Sequence, residues 1–136
     1  MSVAQESSTP VTRALLEEFV RALMAEEVYD EATGVATFAD GSPCTVCTNA
    51  ARRIASAFGG VVMGYWAAGN PTAQIGERYG DGHDFAVVAD RWVVDYFALT
   101  TVDLLESAVL DLRNPVDRRL VSQLLGDRAT WEVVTR

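Results

Sequence analysis

The sequence predicts a single α+β domain in which a helix packs on a small, mostly antiparallel sheet. Three observations predict it. A helix-like run opens at Ser42, ends at Gly59 or Gly60, and is followed by a short apolar run, Val61 to Trp66, that reads as a buried strand. Two further apolar runs, His83 to Ala89 and Arg91 to Ala98, fold back on each other near Asp90 as a hairpin. The 136 residues are 49% hydrophobic and 22% charged, which is apolar material enough for one core without disulfide staples.

Taken in order, residues 1–9 are polar and read as a flexible lead-in, which leaves 10–136 as the domain. The lead-in has no basic stretch followed by an apolar one, so no secretory signal is expected. Pro10 suits a first helical position, and Leu15, Leu16, Phe19, Val20 and Leu23 recur at helical spacing. A helix is therefore expected to about Val28. Tyr29 to Gly41 is turn-rich, with a short hairpin expected at Thr33-Gly34.

The second helix is better marked. Ser42 suits its N-cap, Pro43 its first helical position, and Gly59 or Gly60 its end. Val46, Ala50, Ala51, Ile54 and Phe58 share one face, with Arg52 and Arg53 on the other. Ala67 to Gly82 shows no period and is long for a loop in so small a domain, so it is expected either to form a wall or lid of a site or, since no residue within it carries chemistry, to be a passive connector. Thr100 or Thr101 should cap a helix through about Leu112. Asn114-Pro115 should start another that Gly126 stops, and Trp131 to Val133 should form a final edge strand.

A net charge of −8 argues against nucleic-acid and anionic-membrane partners, because phosphate is repelled. No apolar stretch approaches the ~18 residues of a transmembrane helix. Two cysteines three positions apart make a poor disulfide framework, so a reduced thiol and a cytoplasmic setting are expected. All eleven basic residues are arginine. Biased codon usage and avoidance of self-modification by an isopeptide-forming enzyme both account for the missing lysine.

Three residues carry chemistry. Cys44, in the first turn of the expected helix, is placed where helix N–H groups favour a thiolate. Cys47, one turn deeper, shares a face with Ala50, Ala51, Ile54 and Phe58 and reads as core; it is the alternative nucleophile if the helix starts later. His83 is the sole histidine and follows Gly80-Asp81-Gly82, while Asp95 sits among hydrophobic residues, where a carboxylate needs a partner. A three-residue loop, 89–91, would set Phe85 opposite Asp95 and His83 opposite Phe97. His83 and Asp95 would then share a face as diagonal neighbours, about 7–8 Å apart at the backbone and within side-chain reach. A two-residue loop would put them on opposite faces.

The order of a helix-opening cysteine, an apolar strand, a histidine-led strand and an aspartate-bearing strand resembles the transglutaminase-like branch of the papain-like cysteine enzymes. The residues concerned are Cys44, Phe58-Gly59, Val61 to Tyr65, His83 to Val88 and Arg91 to Asp95, within 42–97. The Cys44/Cys47 pair followed by Ala50 also resembles papain-like domains of bacterial toxins. The resemblance implies a nucleophile helix on a small sheet and a Cys44-His83-Asp95 triad acting on a protein, peptide or small amide. It implies amide hydrolysis, deamidation or transamidation with no cofactor and no metal. Asp84 departs from it, since a small or aromatic residue commonly follows the histidine. Two other readings stand beside it. Pro43-Cys44-Thr45-Val46-Cys47 is similar to the Pro-Cys-x-x-Cys zinc motif of nucleobase deaminases, although the His-x-Glu that should precede it is missing. The other is an interaction domain that kept the fold and lost activity.

Overall fold

The computed structural model describes residues 10–135; the lead-in expected over 1–9 lies outside them. Helix α1 (Arg13–Glu26) starts later than Pro10 suggested, because the Thr12 hydroxyl accepts the Leu15 N–H at 3.2 Å and caps it. It buries Leu16, Val20 and Leu23, and it stops at Glu26 because Val28 already belongs to a strand. Strands β1 (Val28–Asp30) and β2 (Val35–Thr37) form the expected hairpin, with Gly34 at φ 71°.

The next helix, α2, spans Cys47–Phe58, so neither Ser42 nor Pro43 begins it. The chain spends those residues in a tight return instead. Phe38 N–H donates to Ser42 O, Cys44 N–H donates to Ala36 O, and Pro43 bridges Thr37. This backbone pairing with β2 holds residues 42–44 extended, which outweighs the local signal for a helix start. The C-terminus matches expectation: Gly59 takes φ 66°, and both Gly59 and Gly60 donate to Ala55 O.

A five-stranded antiparallel sheet follows, in the order β6-β5-β4-β3-β7. Its members are β3 (Val61–Trp66), β4 (Gly82–Val88), β5 (Trp92–Val94), β6 (Val109–Asp111) and β7 (Glu132–Val133). The expected strand from Arg91 to Ala98 ends at Val94, because Asp95 accepts the Ala98 N–H and caps a short helix, α3 (Tyr96–Thr100). The helix expected through Leu112 is absent: Val109–Asp111 pair with Val94–Trp92 as a sheet edge. Helix α4 (Pro115–Leu125) matches its signals, with the Asn114 side chain accepting two N–H groups, Pro115 first, and Gly126 after it.

Helices cover both faces of the sheet, so its strands are apolar on both. Val62, Ala86, Val88, Val94 and Val109 face α1 and α2, and Met63, Phe85, Val93 and Leu110 face α4. The protein is thus a mixed α+β domain with helices packed on an antiparallel sheet. No helix among the described residues is long and apolar enough to cross a membrane.

The β4–β5 hairpin has the odd-length loop that the diagonal geometry requires, with Ala86 opposite Val94 and Val88 opposite Trp92. Ala89 and Asp90 both take positive φ, 55° and 50°, in a turn closed by Arg91 N–H to Val88 O. An alanine Cβ is crowded in that conformation. Ala89→Gly is therefore expected to raise stability by about 0.5–1 kcal/mol, read as the urea midpoint at unchanged slope. A lowered midpoint would mean that the turn carries no strain.

Candidate active site

His83 and Asp95 meet at the one place where β4 outruns β5. Strand β5 pairs with β4 only over 86–88, so residues 82–85 of β4 keep a free edge on that side. His83 lies on this stretch, and Asp95 caps α3 immediately past the end of β5. The imidazole Nε2 and Asp95 Oδ2 are 2.6 Å apart, with the two side chains 2% and 1% exposed. Asp95 Oδ1 accepts the Ala98 N–H at 3.0 Å, which fixes the carboxylate from behind. Tyr65, Phe85 and Phe97 pack around the imidazole.

The start of α2 closes the free edge. Cys47, its first residue, accepts the Asp84 N–H at its sulfur, 3.3 Å away, and lies close enough to His83 to favour charge on the ring. Burial opposes charge on the imidazole, but the Asp95 carboxylate, its bond to the ring and the nearness of Cys47 outweigh it and push its pKa up to about 10. The histidine is thus held as imidazolium at neutral pH. Cys47 is partly exposed, while His83 and Asp95 are enclosed.

Cys44 is elsewhere. Its amide is bonded to Ala36, and its 5% exposed thiol sits in the core among the acidic groups Glu27, Glu26 and Asp40. Burial first, and then those negative charges, push this thiol up, away from the thiolate form. The structure therefore brings together two of the three residues singled out by sequence, and the cysteine near them is Cys47, not Cys44.

Two contributors, Asp84 and Gly64, were given no structural role by the sequence. Asp84, 3% exposed, points from β4 toward α2 and accepts the Thr48 hydroxyl at 2.5 Å, which ties the start of the helix to the strand. Gly64, opposite it on β3, makes room: a Cβ there would stand 2.1 Å from Asp84 Oδ1 and 3.0 Å from His83 O. A glycine inside an apolar strand is the trace such a close approach leaves in a sequence.

The segment after β3 is pinned rather than free. Tyr65 Oη donates to Ile75 O at 2.6 Å, Ile75 N–H to Leu124 O, and the buried Asn70 bonds Leu125 O and Asp127 N–H. It packs onto the core shared with α4 and braces the Tyr65 wall of the imidazole pocket.

Among the described residues no group of three or more His, Cys, Asp or Glu side chains is placed to hold a metal ion, so Cys44 and Cys47 have no third ligand of the kind the deaminase motif needs. No family model matches the chain, and neither a curated protein nor a solved structure matches it.

Proposed function

We propose that this protein is a thiol-dependent acyl-transfer enzyme of the papain-like, transglutaminase-like type, with Cys47 as nucleophile, His83 as acid–base and Asp95 as the group that orients the imidazole. The observation that carries the reading is the enclosed 2.6 Å His83–Asp95 pair set near a partly exposed cysteine at a helix start. The substrate is an amide of a protein, a peptide or a small molecule.

In this mechanism the Cys47 thiolate attacks the amide carbon, and the carbonyl π electrons move to oxygen. The oxyanion falls at the first turn of α2, whose N-cap, Val46, has no side chain to cap those N–H groups. The tetrahedral intermediate collapses as the C–N bond breaks, and the proton from the imidazolium goes to the leaving amine. The neutral imidazole then takes a proton from water or an incoming amine, which attacks the thioester and releases Cys47. Hydrolysis, deamidation and transamidation share this acyl-enzyme and differ only in leaving group and acceptor.

Iodoacetamide at neutral pH tests the assignment, with the labelled site read by peptide mass. Cys47 is expected to alkylate in the folded protein and Cys44 only after denaturation. His83→Gln should slow Cys47 labelling by about tenfold or more, through loss of the imidazolium beside the sulfur. An inert Cys47 in the folded protein would favour the interaction module, and preferential labelling of Cys44 would return the nucleophile to that residue.

A further inference from the structure

We propose that a groove beside α4, on a different element from Cys47, is a binding site for a diphosphate-bearing ligand. The chain as a whole carries −8, yet Arg113, Arg118, Arg119 and Arg128 face only Asp117 and Asp127 within 113–128. Asp117 is already engaged, by Arg13 at 2.6 Å and by the Asp111 N–H. Asp127 accepts the Ala129 N–H. The local balance is therefore positive on an otherwise acidic molecule.

Arg118 and Arg119 each lie about one helical turn before Ser122 on α4, and Arg128 follows in the 3-10 turn after Gly126. Together they line a cavity of about 410 Å³ whose floor is the buried Leu112 and Val121. Among the described residues none of the three guanidinium groups forms an ion pair with a carboxylate.

The groove is also preorganised. Arg128 stacks on Trp131, 5.7 Å from the ring centre, and Trp131 Nε1–H donates to Leu125 O. Asn70 clamps both sides of Gly126, through Leu125 O and Asp127 N–H, so the turn carrying Arg128 is fixed relative to α4. Guanidinium groups match phosphate oxygens in pairs, and three of them balance a ligand of about three negative charges. A diphosphate ester supplies that charge in two adjacent groups, the Ser122 hydroxyl can donate to a further oxygen, and the apolar floor suits the organic part of the ester. A single phosphate would leave part of the cationic lining uncompensated.

Calorimetric titration of the full chain with inorganic pyrophosphate at low ionic strength is the test, with orthophosphate as comparator. Pyrophosphate should bind about tenfold more tightly than orthophosphate, and Arg118→Gln with Arg119→Gln, or Arg128→Gln alone, should each weaken it about tenfold or more. All three arginines are exposed, so these variants should melt with the wild type. Arg21→Gln, on the exposed side of α1, should bind as the wild type does. Absence of pyrophosphate binding, equal affinity for both anions, or an equal loss in Arg21→Gln would each overturn the proposal. Cys47 labelling is read separately, so the outcome here is independent of the acyl-transfer reading.

Discussion

Asp95→Ala is expected to cost about 3–5 kcal/mol of stability and to reverse the way stability depends on pH around His83. The cost follows from removing the partner of an enclosed imidazole, which must then either stay charged without a counter-charge or give up its proton, and from losing the cap of α3. In the wild type the histidine pKa stands above its ordinary value of 6.5, at about 10. Below pH ~6.5 the folded and unfolded chains both hold this proton, so the stabilising contribution is complete. As pH rises from there to about 10 the folded chain holds a proton that the unfolded chain has released, and the contribution is lost. Without Asp95, burial is the dominant influence and depresses the histidine pKa below 6.5. The variant should then gain stability as pH rises toward about 6.5 and show no further slope from this group above it.

Urea unfolding at several pH values between about 5 and 9 distinguishes the two profiles. A variant that tracks the wild type in both stability and slope would mean that the pair is not charged. Asp95→Asn refines the result, because its side-chain oxygen can still accept the Ala98 N–H and cap α3. It should recover about 1 kcal/mol relative to alanine while keeping the reversed slope.

Gly64→Ala should have the second largest effect, although it adds a single methyl group. That methyl would overlap the Asp84 carboxylate at 2.1 Å and press on His83 O and Val134 Cγ2, both at 3.0 Å. Asp84 is held on its other side by Thr48, so it can move only by releasing the first turn of α2. A loss of about 2–3 kcal/mol is expected, with Cys47 labelling slowed about tenfold as the sulfur leaves the imidazole. Asp84→Ala on the Gly64→Ala background relieves the overlap and should recover stability, with a coupling of more than about 1 kcal/mol between the two sites. Strict additivity would show that the Asp84 carboxylate is not what the methyl meets.

The β4–β5 hairpin shows how much of the site is legible in sequence. Two apolar runs around Asp90 define the strands, and side-chain alternation then makes the His83–Asp95 encounter depend on loop length alone. Local rules reach that far because the contacts span few residues. The same holds for α4, whose Asn114, Pro115 and Gly126 act on backbone within one turn.

Cys44 and Cys47 mark the boundary. Ser42-Pro43 is a sound local signal for a helix start, and Cys44 follows from it. The signal loses because residues 36–44 pair with their own backbone across a tight return, and a helix begun at Pro43 would give up those hydrogen bonds. Which thiol meets the histidine is then decided by Thr48 and Asp84, thirty-six positions apart, and by the gap at Gly64 that lets the carboxylate in. Residue types and periodicities, acting through local hydrogen bonding and side-chain alternation, determined α1, α4, β3, the β4–β5 hairpin and the pairing of His83 with Asp95, while sheet pairing made a strand of Val109–Asp111 where a helix was expected. Only the packing of α2 against the free edge of β4, a long-range contact with no local signature, decided that Cys47 lies beside that pair and that Cys44 is sealed in the core.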